Sequence, residues 1–122
     1  MLVSNQDVLK VLRSARRRIA TPERWIKGAM ERHEEGKGVR YCLLGAIYSA
    51  AYAGKIGKEA RCCHVLAKAT RNVVRKRLPS YYADATEAIS LAMFNDRPAT
   101  THKDVYKVLT RAIKEVEAKC RT

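Results

Sequence analysis

The stretch from Tyr41 to Ala53 places small or apolar side chains on nearly every face of a helix: Cys42, Leu43, Leu44, Gly45, Ala46, Ile47, Ala50 and Ala51. A helix with no polar side cannot lie on a surface, so this one must be central, with other elements packed round it. Gly54 and Gly57 mark its end. The remaining segments are amphipathic and supply the surrounding layer.

Ser4 with Asp7 three residues on has the spacing of a capping box, and Val8, Val11, Leu12, Ala15 and Ile19 follow as one apolar stripe. Lys10, Arg13 and Arg17 fall on the far side of that helix. Thr21-Pro22-Glu23 reads as a second start, with Trp25, Ile26, Ala29 and Met30 as the buried side and Trp25 in the core. Glu34-Glu35-Gly36-Lys37-Gly38 reads as a surface loop. A fourth helix spans Lys58 to Leu78 and stops at Pro79. A fifth runs from about Ser80 to Met93, and a loop from Asn95 to Thr100 follows. Thr101, with Asp104 three residues on, starts the last helix, whose stripe is Val105, Val108, Leu109, Ala112, Ile113 and Val116. Nothing alternates like a strand. The expected fold is all-α, a single domain over residues 1–122 with about six helices round the central one.

Length and composition fit that plan, since 122 residues with 47% hydrophobic and 30% charged content can bury a core without staples. The four cysteines (Cys42, Cys62, Cys63 and Cys120) are too few for a disulfide scaffold and read as reduced, mostly buried thiols. Met1 to Val3 run straight into polar residues, so no signal peptide is expected, and no apolar run nears the ~20 residues needed to span a bilayer. A cytoplasmic protein without membrane contact is the expectation.

Charge is the outlier. Twenty-five Lys and Arg against twelve Asp and Glu give +13. Arg61, His64, Lys68, Arg71 and Arg75 recur at three and four, forming a stripe roughly 20 Å long at the helical rise. Residues 60–78 contain no acid to interrupt it. Lys103, Lys107, Arg111 and Lys114 repeat the arrangement on the last helix. Such stripes neutralise phosphates and release counterions without reading sequence. The segment from Ser80 to Met93 carries Asp84 and Glu87 but no Lys or Arg, which argues against a base-reading recognition helix.

Enzyme and metal motifs are weak. Gly54-Lys55-Ile56-Gly57-Lys58-Glu59 lacks the first glycine and the magnesium-binding hydroxyl of a phosphate loop. Cys62-Cys63-His64 points its side chains about 100° apart on a helix, so these three cannot converge on one ion. No catalytic residue, metal or cofactor is expected.

Three blocks remain. They are Trp25-x-x-Gly28-Ala29, then Arg40-Tyr41-Cys42-Leu43-Leu44-Gly45-Ala46-Ile47, then Phe94-Asn95-Asp96 followed by Thr101-His102-x-x-Val105 and a helix ending in Ala112-Ile113. In this order, over roughly residues 22–116, they resemble an uncharacterised family of small bacterial and phage-associated helical proteins, in which Trp usually stands at the place of Phe94. The resemblance implies a shared helical fold and no known activity. Physically, Gly28 and Gly45 would let helices approach, Trp25, Leu43 and Leu44 would fill the core, and Asn95, Asp96 and Thr101 would cap turns.

The expected function is therefore that of a basic, non-enzymatic, phage- or mobile-element-associated module. It would contact nucleic acid or a nucleoprotein through Arg61, Lys68, Arg71, Arg75, Lys103, Lys107 and Arg111. One alternative is a small anti-defence inhibitor docking on an acidic or nucleic-acid-binding host protein. Another is an enzyme with a pocket at Trp25, Asn95 and Asp96.

Overall fold

In the computed structural model the described residues are 4–36, 38–52, 58–73 and 87–120. Helix α1 (Asn5–Arg18) starts at the Ser4–Asp7 capping box, with both reciprocal bonds formed. Val8, Leu9, Val11, Leu12 and Ala15 bury one side of it, and Ile19 follows them into the core.

The second helix expected from Thr21 does not form. Pro22–Arg24 makes a single 3-10 turn, and the Thr21 side chain does not cap it. The chain then extends: Trp25 bridges Tyr41, and two short strands, β1 (Glu31–Glu34) and β2 (Gly38–Tyr41), pair antiparallel. Gly28 adopts φ +81, a left-handed conformation that breaks any helix there. What replaces the helix is a set of long-range bonds, including Ile26 N–H to the Tyr41 carbonyl at 3.0 Å and Cys42 N–H to the Met30 carbonyl at 3.1 Å. Of the four residues expected on a buried helix face, only Ile26 is buried; Trp25 is half-buried and Met30 is 40% exposed. The segment expected as a loop is the tip of this hairpin, with Glu34 and Gly38 already in the strands.

Helix α2 (Leu43–Tyr52) is central, as its composition demands, and touches α1, β2 and the next two helices in the chain. Leu43, Leu44, Gly45, Ala46, Ile47, Ala50 and Ala51 are all buried. Gly45 is required by contact rather than by dihedral angle: a Cβ there would sit 1.8 Å from the Met30 carbonyl oxygen. The close approach is thus to the hairpin backbone, not to a helix, while Gly28 has open space around it and serves conformation alone. Gly45→Ala is expected to cost about 3 kcal/mol or more, because backbone rather than a flexible side chain must move. Urea denaturation of the purified variant measures it.

Helix α3 (Lys58–Val73) buries Cys62, Cys63, Leu66, Ala67, Ala69 and Thr70, whose hydroxyl donates to the Leu66 carbonyl. Helix α4 (Glu87–Asp96) and α5 (His102–Cys120) complete the core with Leu91, Phe94 and the expected α5 stripe. Helix α4 does not stop at Met93. It continues through Phe94, Asn95 and Asp96, so these residues belong to its last turn and not to a loop. The expected starts and stops between residues 74 and 86 lie outside the described residues, as does Arg75. Helix α5 is capped by Thr101 in a second full box, Asp104 N–H to Thr101 Oγ1 at 3.3 Å and Thr101 N–H to Asp104 Oδ2 at 2.9 Å. Thr101→Ala should lower stability by about 1 kcal/mol in thermal or denaturant unfolding.

The described residues therefore form five helices and one two-stranded hairpin, predominantly helical but not purely so. None of these helices is long and apolar enough to cross a membrane.

Candidate nucleic-acid interface

The basic stripe of α3 is exposed at Arg61, His64, Lys68 and Arg71. Two of the four are engaged: Arg61 donates to Asn5 Oδ1 at 3.1 Å, and His64 Nδ1 lies 2.8 Å from Glu87 Oε2. Lys68 and Arg71 form no ion pair among the described residues.

A larger basic face arises where α5 lies beside α1. Ile19 accepts from His102 Nε2 at 2.7 Å, Arg16 donates to Thr110 Oγ1 at 3.2 Å, and Arg13 pairs with Glu117 at 2.7 Å. Residue numbers rise on one helix as they fall on the other, so the two run antiparallel. These contacts occupy the edge of each helix, between its buried stripe and its exposed one. Both exposed stripes consequently turn the same way. Lys10, Arg13 and Arg17 of α1 join Lys103, Lys107, Arg111 and Lys114 of α5, and all seven are exposed. Arg13 and Arg111 are tied to Glu117 and Glu115 in surface ion pairs, each worth at most about 1 kcal/mol. Lys10, Arg17, Lys103, Lys107 and Lys114 have no such partner among the described residues.

The residues of the three sequence blocks meet elsewhere. Asn95 is fully buried and joins three segments. Its Oδ1 accepts from Trp25 Nε1 at 2.6 Å and from the Leu43 N–H at 3.0 Å, and its Nδ2 donates to the Ile26 carbonyl at 3.1 Å and Asp96 Oδ1 at 3.0 Å. Asp96 also accepts from the Gly28 N–H at 3.0 Å. The Leu43 bond satisfies a free N–H in the first turn of α2, so Asn95 caps a helix remote from its own. These groups fasten the hairpin to α2 and α4. They were expected to bond N–H groups of the adjoining turn; Asn95 instead bonds the hairpin and α2, and the exposed Asp96 accepts from Asn95 and Gly28 through Oδ1.

The Cys42 thiol is buried beside this network, and desolvation pushes its pKa up, against the N–H of Gly45, which donates to the sulfur at 3.2 Å. A thiol so placed stays protonated and is a poor nucleophile. Cys62 and Cys63 are buried on α3. Among the described residues no three His, Cys, Asp or Glu side chains come together as metal ligands would.

No curated protein and no solved structure matches the chain. One family model does, over residues 3–115, and it spans all three sequence blocks, the seven cations of the α1–α5 face and the Asn95 network. The chain belongs to that family, a family of unknown function designated DUF6197.

Proposed function

We propose that this protein is a non-enzymatic module that grips nucleic acid along its phosphate backbone through the outer face of α1 and α5. Lys10, Arg13, Arg17, Lys103, Lys107, Arg111 and Lys114 are the contacting groups, with Lys68 and Arg71 of α3 as a secondary stripe. Its setting, on the resemblance of the three blocks, is bacterial or phage-associated. The observation that supports the reading is the antiparallel pairing of α1 with α5, which gathers cations from two separate stripes onto one surface. A basic face of this kind suits a phosphate backbone, where position is set by charge and no base is read. A grip set by phosphate charge predicts similar affinity for unrelated sequences.

The test is fluorescence anisotropy with labelled duplex DNA, single-stranded DNA and RNA at about 50 mM salt. Binding to at least one of them, lost in the Lys107→Glu, Lys114→Glu double variant, supports the proposal. Absence of binding to all three overturns it. Binding that survives the α5 reversals but is lost in Lys68→Glu, Arg71→Glu would transfer the site to α3.

A further inference from the structure

An open cleft of about 570 Å³ lies at the hairpin, lined by Pro22, Trp25, Ile26, Lys27, Arg32, Arg40 and residues 100–102. Three residues of its lining are permanently cationic and none is acidic. Arg32 and Arg40 stand directly opposite each other in the register of the hairpin. Opposed residues project on the same side of the sheet, and like charges so placed repel. Arg40 is partly relieved, since it donates to Glu34 at 3.2 Å and to the Trp25 carbonyl at 3.3 Å. Its Nε, however, is a buried donor with no partner. Arg32 is exposed and has no ion pair among the described residues. Arg32, free of any ion pair among the described residues, and the unsatisfied Nε of Arg40 leave N–H donors on one face, and a tetrahedral dianion can accept from both.

The rest of the cleft has the same sign. Lys27 is held at its rim by the Arg97 carbonyl at 2.6 Å, with its ammonium 5.6 Å from the centre of the Trp25 ring. Residues 100–102 also line the cleft and bring the start of the long helix α5, its positive end, to it. The nearby carboxylates are committed: Glu34 to Arg40, and Asp104 to the cap of α5. Glu23 is fully exposed, and its carboxyl pKa is lowered chiefly by hydrogen bonding to its own backbone and to Thr21, with smaller electrostatic contributions from His102 and Arg40.

We propose that this cleft binds a phosphomonoester dianion between Arg32 and Arg40, with Lys27 and the start of α5 completing the charge. The site uses none of the seven cations of the α1–α5 face and does not rest on their role. The same phosphate chemistry is offered by a free small ester and by the phosphorylated end of a nucleic acid.

Trp25 is the sole tryptophan, so its indole N–H resonance in a two-dimensional amide spectrum reports on the cleft directly. Inorganic phosphate, methyl phosphate and a thymidine dinucleotide with or without its terminal phosphate are titrated at constant ionic strength. All the phosphorylated probes should shift that resonance saturably, with half-saturation below about 1 mM, and the unphosphorylated dinucleotide should not. Shifts from the first two probes alone would support the site and assign it to small esters. Arg32→Glu should weaken binding at least about tenfold while raising the melting temperature, because a repelling pair becomes an attracting one. Arg32→Ala should weaken it less. The Lys107→Glu, Lys114→Glu variant should bind phosphate unchanged. No saturable shift with any phosphate, or equal binding in both Arg32 variants and the unaltered protein, would overturn the proposal.

Discussion

Asn95→Ala is expected to destabilise the protein by roughly 3–6 kcal/mol. The estimate follows from what the side chain leaves behind. The Leu43 N–H, the Ile26 carbonyl and the Trp25 indole N–H each lose a partner, and buried orphans of this kind cost about 1–3 kcal/mol apiece. Trp25 is only half-buried, so its indole can recover some hydration, and the lower end of the range allows for that. A domain commonly has ~5–15 kcal/mol in hand, so the variant should be marginal at 37 °C. Asn95→Asp is a sharper comparison. It keeps an acceptor for Trp25 and Leu43 but loses the donor to Ile26 and sets a carboxylate beside Asp96 in a fully buried position. It should be no better than Ala at neutral pH. Urea unfolding of both variants decides the matter; a loss below about 1 kcal/mol for Asn95→Ala would mean that the network does not hold the hairpin.

This residue also marks where sequence reasoning stops. The capping boxes at Ser4 and Thr101 are legible because every partner lies within three residues, and they form as expected. The central place of α2 is legible because a helix without a polar face has nowhere else to go. Residues 21–41 are not, since their apolar spacing suits a helix while their bonds go to Tyr41, Asn95 and Asp96, distant in sequence. Gly28 and Gly45 were visible as needed for shape, but only the structure distinguishes a left-handed turn from a carbonyl pressed against a helix. Polar residues at a helix end ordinarily cap it, and nothing local says that Asn95 faces inward. A cleft formed by Lys27, Arg32 and Arg40 is illegible for the same reason: without the hairpin, no spacing puts two arginines opposite each other. The stripes on α1 and α5 were each visible, yet their union on one surface depends on contacts such as Arg13 with Glu117 that no local pattern encodes.

Reversal of the α5 cations carries the other large expected effect. Lys107 and Lys114 are exposed, lie away from the buried stripe and form no ion pair among the described residues, so Glu at both positions should leave the melting temperature within a few degrees. The same change removes two phosphate contacts and adds two repulsions. At low salt it should weaken binding by roughly two orders of magnitude.

The salt dependence of duplex binding tests the central claim most directly. Five cations of the α1–α5 face have no carboxylate partner among the described residues, namely Lys10, Arg17, Lys103, Lys107 and Lys114. If these neutralise about five phosphates, the slope of log K against log salt is about −4, and affinity falls by two to three orders of magnitude between about 50 and 200 mM. The double reversal should bring the slope to about −2 or less in magnitude. A slope near zero in the unaltered protein, or an unchanged slope after the reversals, would contradict the assignment of this face to nucleic acid.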